Sequence, residues 1–361
     1  MKASRGDNVS YPKLIVDYEV LKNNVRTVVS LCNNKGIKVA GVTKVFCGNP
    51  NIAKAYVEGG VSFLADSRIE NLKRLKDFDV PKIMLRLPMI SEVEDVVEYA
   101  DISFNSELET IKALSEMALK KNKIHNIILM VDLGDLREGY YEESDLYKAI
   151  DEVLKLKGVK IIGLGTNLTC YGGVIPTMEH MNRLNRLKME IEKKYNIELE
   201  ILSGGNSSSL YLLSDNDLGT INNLRLGESL VLGNETAYGN QLEGTRNDAF
   251  KLQAEVIEVK MKPSVPKGEI GKDAFGNVPT FVDRGIRKRI ICAIGKQDID
   301  LDTLHPVDKG LIVLGGSSDH LIIDGSDSEI DYKVGDIIEF TMDYVCLLRA
   351  MTSEYVKKEI V

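Results

Sequence analysis

A short β-branched apolar run, then a turn, then a segment of helical period: this theme recurs through the first two-thirds of the chain and limits its fold more than any other feature. After an opening strand at Leu14 to Val16 and a helix from about Tyr18 to Cys32, strand candidates begin at Val39 to Thr43 (VAGVT). They continue at Ser62 to Ala65, Lys82 to Leu87, Ile102 to Phe104, Asn126 to Leu133, Lys160 to Thr166, Leu199 to Leu202 and Asn223 to Leu226, which makes eight from Val39 onward. Most intervals hold amphipathic helices, such as Ser106 to Leu119 and Met178 to Tyr195. Parallel strands need crossovers of a dozen or more residues, which these helices supply. Eight such units close most simply into a (β/α)8 TIM-like barrel over residues 14–235, with an open doubly wound sheet as the structural alternative.

Beyond about residue 236 the pattern changes. Segments such as LQAEVIEVKM, RIICAIG, KGLIVLGG, HLIIDG and DIIEFTMDYV are strand-like and separated by turns rich in Gly, Asp, Pro and Lys, which predicts a smaller all-β domain over 236–361, joined by the N-terminal strand of about residues 1–16. The stretch Lys262 to Val282 has neither period and reads as a long loop. A length of 361 residues agrees with two domains, since a single core usually stops growing before that size.

A net charge of −8 argues against nucleic acid or an anionic membrane as the main partner. The N-terminus lacks an apolar signal-type core and no run of about 18 apolar residues occurs, so a cytoplasmic protein is expected. Five widely spaced cysteines form no CxxC pair, and four histidines form no HExxH or HxH pattern, so no metal site is expected. Chemistry must then come from lysine, tyrosine, carboxylates or a cofactor.

In a barrel the active site gathers at the C-terminal ends of the strands. Lys44 directly follows VAGVT, where it reads either as a solvated strand-end lysine or as a nucleophilic amine pointing into the barrel mouth, its pKa lowered by partial desolvation. Strand seven ends in LSGGNSSS, where Gly204, Gly205, Asn206 and Ser207 lead into a helix; this is either a plain N-cap or an anion cradle. Strand eight ends in NLRLGES, with Gly227 and Glu228 permitting a second close backbone approach. Phosphate frequently binds at the loops after strands seven and eight, so a lysine after strand one and a cradle there suggest a phosphate-bearing aldehyde cofactor. Arg225 reads either as a barrel-lining arginine paired with a carboxylate or as a contact to the cofactor ring, where an always-charged guanidinium makes a weak electron sink suited to simple proton removal and return.

Taken in order, these residues resemble the alanine racemase family of pyridoxal-phosphate enzymes. GVTKV stands where that family has VVKAN, which implies that Lys44 carries pyridoxal 5'-phosphate as a Schiff base; VDLGDLREG resembles VDTGMxRxG, which implies that Arg137 contacts cofactor and substrate carboxylate. GLGTNLT resembles GxxTHxA, with Asn167 in place of the ring-stacking histidine. GGNSSS resembles the phosphate-binding ANSA stretch and implicates Ser207 beside Asn206; RLGES resembles RPGIxxYG, which assigns Arg225 to the ring nitrogen and the backbones of Gly227 and Glu228 to phosphate. GGSSDHLIID resembles GRxxMDxxxVD, and MDYV…SEYV resembles the segment whose last tyrosine touches phosphate, here Tyr355. KVFCGNP, LADSRIENL and SSDHLIID look most like the ornithine racemase branch.

The departures bear on mechanism. The family's second base, a tyrosine in GYADG, is matched by AIGKQD, with Lys296 in its place; the tyrosine after the family lysine is Gly48, and the substrate-contacting methionine is Ser318. Small residues at Gly48 and Ser318 are expected to leave room for a side chain longer than alanine's. The resemblance implies an L-/D-interconversion in which Lys44 serves one face of the substrate and Lys296 the other, with Tyr344 and Cys47 as lesser candidates. For a diamino acid such as ornithine, Asp298, Asp319 and Glu228 are the candidate partners of the distal ammonium. The same scaffold also allows an aldolase, a decarboxylase or a non-catalytic carrier. A homodimer is implied by the resemblance.

Overall fold

The structure, a computed structural model, describes residues 10–214, 216–273, 275–276 and 278–361. They divide into two compact units, one of residues 18–247 and one of residues up to Asp17 together with 248–361. The first strand, β1 (Lys13–Val16), belongs to the second unit.

The 18–247 unit is a closed barrel of β2 (Lys38–Val42), β3 (Phe63–Asp66), β4 (Lys82–Met84), β5 (Ile102–Asn105), β6 (His125–Met130), β7 (Val159–Gly165), β8 (Ile201–Ser203) and β9 (Asn223–Leu226). All neighbours are parallel, and β2 closes on β9 with Ala40 opposite Arg225, which excludes the open-sheet alternative. Side chains alternate across each strand, so Ala40, Val42, Ala65, Ile102, Phe104 and Met130 fill the interior while their neighbours face the helices. β6 ends earlier than the apolar run suggests because Asp132 turns the chain, its Oδ1 accepting from the amides of Gly134 (2.8 Å) and Leu136 (3.2 Å).

This unit runs on to Asn247 rather than ending at 235, because polar groups tie the extra stretch back. The Glu235 carboxylate accepts from the amides of Ala237, Tyr238 and Asn240, and Asn24 bonds the backbone of Arg246 on both sides.

The second unit adds β10 (Phe250–Pro263), β11 (Ile286–Cys292), β12 (Leu304–Pro306), β13 (Ile312–Gly316), β14 (Leu321–Asp324), β15 (Ile337–Met342) and β16 (Lys357–Ile360). Its sheet order is β12-β15-β10-β11-β14-β13, and β1 lies antiparallel to β10 and parallel to β16. Described residues between 264 and 285 form neither helix nor strand. The strand expected through Val345 stops at Met342 and a helix follows, Tyr344–Thr352, burying Cys346, Leu347, Ala350 and Met351 at helical spacing. Among the described residues no helix is long and apolar enough to cross a membrane.

Candidate active site

The end of β2 places the key lysine. Ala40 and Val42 point into the barrel, and two residues on Lys44 opens a 3-10 turn, Lys44–Phe46, at the barrel's C-terminal mouth. The side chain is solvent-exposed in the single chain. Gly48, expected to leave space, leaves none: it is buried at φ 60°, and a Cβ there would stand 2.8 Å from Cβ of Asn71 and 2.9 Å from its carbonyl oxygen. The missing side chain serves a left-handed backbone and a close approach of helix Ile69–Arg74.

Arg225 points into the barrel on β9, two inward steps below Lys44 on the neighbouring strand. It is 6% exposed, and its guanidinium stacks on Phe104 at 4.8 Å. Nη1 donates to Ser203 Oγ (2.6 Å), and Nη2 donates to Thr166 O (2.7 Å) and Asn167 Oδ1 (3.2 Å). Among the described residues no carboxylate forms an ion pair with it, which removes the paired-arginine alternative. Burial pushes the guanidinium down to about 10. A buried cation with only neutral acceptors is unfavourable unless something else requires it.

The loops after β7 and β8 meet above this arginine. Asn206 does cap the following turn, accepting from Ser208 N at 2.8 Å, and its Nδ2 also donates to Asn167 Oδ1 (3.1 Å) and Leu168 O (2.8 Å). Capping and bridging are thus one arrangement. Ser207 Oγ donates to Ser229 Oγ at 3.0 Å, joining the turn after β8 to the segment Gly227–Ser229 after β9, where Glu228 begins a five-residue helix.

Arg137 follows β6 on a loop that sequence reading credited only with its arginine. Asp135, fully buried, accepts four amides from the loop after β7: Thr169 (3.0 Å) and Val174 (3.2 Å) at Oδ1, Cys170 (3.1 Å) and Tyr171 (2.9 Å) at Oδ2. The family motif has methionine here, and an acid in that place was the available signal. Arg137 is only partly covered; that partial burial pulls its guanidinium down, but its Nε and Nη2 donate to the Glu138 carboxylate, and the pairing outweighs it and holds the guanidinium above its ordinary range. It lines a cavity of about 610 Å³ whose acidic lining includes Glu107, Glu138, Glu142 and Asp145.

The remaining candidates lie in the second unit. The amide of Lys296 donates to Ser317 O (2.9 Å) and that of Gln297 to Ser318 O (3.2 Å), so Lys296 and Ser318 stand on adjoining turns. Lys296 Nζ lies 4.4 Å from the Phe275 ring centroid. Ser318 Oγ donates to Asp319, which is exposed; Asp298 is buried and accepts from Ser353 Oγ at 2.6 Å, a structural bond. Tyr355 is 66% exposed, next to β16.

The barrel residues fit a phosphate-bearing aldehyde with an aromatic ring. Thr166 Oγ1, Asn167 Nδ2 and Ser208 Oγ are buried without a hydrogen-bond partner, although such atoms are rarely left unsatisfied. They share the mouth with the buried guanidinium, a donor-only group that suits an unprotonated ring nitrogen. Gly205, at φ 116°, leaves the turn open where a Cβ would come within 2.7 Å of Ser209 Oγ. Among the described residues no cluster of His, Cys, Asp or Glu could hold a metal.

Comparison with known proteins agrees with this reading. The chain is 53% identical to ornithine racemase of Acetoanaerobium sticklandii over 97% of this chain and 99% of that protein. It is 44% identical to lysine racemase of Thermotoga maritima over 96% and 98%. Alanine racemase of Clostridium difficile 630 shares the fold with a TM-score of 0.72 at 18% identity, covering 98% of this chain and 96% of that one. Residues 16–235 match the family model for the alanine racemase N-terminal domain, and the chain belongs to the alanine racemase family.

Proposed function

We propose that this protein is a pyridoxal-phosphate-dependent racemase that interconverts L- and D-ornithine. The observation that carries the reading is one barrel mouth holding Lys44, in the turn just after the strand of Ala40 and Val42, above a buried Arg225 that has no acidic partner among the described residues. Near-complete coverage of two basic-amino-acid racemases supports the substrate class, as does the acidic lining beside Arg137.

Pyridoxal phosphate, when bound, supplies an aldehyde for the substrate amine and an electron-withdrawing ring that delocalises charge from Cα. Lys44 would hold the aldehyde, Arg225 would donate to the ring nitrogen, Asn167 would lie against the ring, and Ser207 with the Gly227–Glu228 backbone would hold the phosphate. An arginine cannot hand over a proton at working pH, so it leaves the ring a modest sink, which favours simple return of the proton. Lys44 Nζ moves the α-proton on one face; for the other face the reading assigns Lys296, ahead of Tyr344 and Cys47. Arg137 would orient the substrate carboxylate. Tyr355, Ser318 and Asp319 remain assignments by resemblance. A site built to pair the distal ammonium rejects an analogue lacking it by about 10⁴-fold, against about 10 to 200-fold for reading a methylene.

The test is a visible spectrum, followed by incubation with L-ornithine, L-lysine and L-alanine in deuterated water. The expected result is a band near about 420 nm that Lys44→Ala abolishes, with optical rotation decaying to zero for ornithine. A colourless protein that takes up no pyridoxal phosphate overturns the reading. A coloured one that exchanges no α-proton points to an aldolase, a decarboxylase or a carrier.

A further inference from the structure

The helix-facing side of the lysine turn contains a polar arrangement that the reaction above does not use. β2 ends at Val42, and Thr43, fully buried at φ −94° and ψ −2°, is the residue at which extended backbone turns into the Lys44 turn. Ala40 and Val42 on β2 and Ala65 on β3 point into the barrel, so Asp66, next to Ala65, faces the helix layer, and so does the Thr43 side chain that bonds it. There its Oγ1 donates to Asp66 Oδ2 at 2.6 Å. Asp66, the last residue of β3, is also fully buried, and its Oδ1 accepts from Arg68 N (2.9 Å) and Asn71 Nδ2 (3.0 Å).

The neighbouring contacts converge on the same turn. Asn71 fills the space against Gly48, Arg74 Nη1 donates to Cys47 O at 2.7 Å, and Thr43 O accepts from the amides of Phe46 and Gly48, both at 3.2 Å. Among the described residues no cation forms an ion pair with Asp66, and burial holds its carboxyl above the ordinary range. A buried carboxylate without a counter-charge is a poor device for stability, because a well-packed apolar pair at the β2–β3 edge would serve as well or better. What the carboxylate adds is direction: a short bond that fixes the side chain, and through it the backbone, of the residue just before Lys44.

We propose that the Thr43–Asp66 pair is a positioning device for the Lys44 amine, with neither residue touching substrate. The proposal rests on Lys44 being the reactive lysine. A misplacement of about 1 Å in a reacting group can slow turnover by about 10²-fold, and loosening one bond of this network is expected to lower kcat roughly tenfold with KM nearly unchanged.

The experiment compares Thr43→Val, which keeps the β-branched shape and removes the hydroxyl, with Thr43→Ser, which restores the hydroxyl. Each variant is assayed for kcat and KM. Each is also stripped of cofactor, and the rate at which acetic anhydride labels the Lys44 amine is followed by peptide mass spectrometry relative to other lysines. The expected result is a kcat roughly tenfold lower and a Lys44 labelling rate changed severalfold in Thr43→Val, with Thr43→Ser within about threefold of wild type in both. Asp66→Asn retains an acceptor for Arg68 N and Asn71 and can donate to Thr43 Oγ1, so it is expected to behave like Thr43→Ser. Wild-type kcat and labelling in Thr43→Val, whatever its melting temperature, overturn the proposal. If the wild type racemises nothing, the functional reading fails, and the labelling comparison still decides the positioning role.

Discussion

Replacing Arg225 with methionine should separate what the barrel needs for stability from what it needs for chemistry. Burial pushes the guanidinium down to about 10, which corresponds to about 3 kcal/mol of lost solvation for the charged form. The cation is present in folded and unfolded chains at all working pH, so this penalty is constant there and is relieved only as pH rises through the folded value. Against it stand three accepted hydrogen bonds. Ser203 Oγ still donates to Asn223 Oδ1 and Asn167 Oδ1 still accepts from Asn206 when the arginine is gone, which leaves the Thr166 carbonyl as the atom losing its donor. One unsatisfied buried carbonyl costs about 1–3 kcal/mol. Methionine can lie along Phe104 with little strain. The sum runs from no change to about 2 kcal/mol of stabilisation, equivalent to a rise of up to about 6 °C in the melting temperature of a unit this size. The assay is thermal unfolding of cofactor-free wild type and Arg225→Met, followed by titration with pyridoxal phosphate. The variant should melt at or above wild type when stripped, gain less on loading, and racemise at least about 10²-fold more slowly. A stripped variant melting more than about 5 °C below wild type would refute the reasoning, since the arginine would then be a net stabiliser.

Asp135→Asn should aim an amide NH2 at the amides of Cys170 and Tyr171 or of Thr169 and Val174; amide exchange across 169–174 should accelerate at least tenfold and kcat should fall, as hydrogen exchange and steady-state kinetics would register. Gly48→Ala combines a left-handed backbone with a 2.8 Å approach to Asn71, and a loss of about 2 kcal/mol or more is expected by denaturant titration. His125 is buried neutral against Ser103 and pushed down to about 4, burial outweighing the pull of Asp101. The unfolded chain therefore takes up a proton near about pH 6.5 that the folded chain refuses, so stability should fall by about 3 kcal/mol between about pH 6.5 and 4 and level off below; His125→Gln should flatten that segment of the curve.

The barrel was legible because its signal is local and repeated: VAGVT or Asn223–Leu226 each declare a buried strand by β-branched or apolar runs, and the helices between them carry their own period. The site was legible where a residue type is chemically rare at its place, as with Lys44 after a strand and Arg225 within one. What escaped sequence reading depends on packing between segments distant in sequence. Gly48 looks like vacated space, but its value is a backbone angle and the nearness of Asn71. Thr43 and Asp66 are ordinary residues at strand ends until β2 and β3 are placed side by side. Asp135 sits inside a motif usually read for its arginine, and only the fold brings four amides to it. The helix Tyr344–Thr352 hid behind a strand-like run because Asp343, which ends the strand, reads as just another turn residue.

The β domain is drawn from two stretches that flank the barrel in sequence. Lys13–Val16 pairs with Phe250–Gln253 on one side and with Lys357–Ile360 on the other, so the first described strand lies between two partners that both follow the barrel in sequence. At about 5–20 residues per second a ribosome needs roughly 10 to 50 s to travel from Val16 to the first partner strand, while the barrel is completed on the way. During that interval β1 is a short apolar segment with both edges open, and its second neighbour, Lys357–Ile360, is made later than the first. A chain cut after Tyr355 would strand it with one neighbour, whereas a circular permutant beginning at Tyr18, with Val361 joined to Ser10 by a crossover of about a dozen added residues because β16 and β1 run parallel, would let the β domain be made in one continuous run.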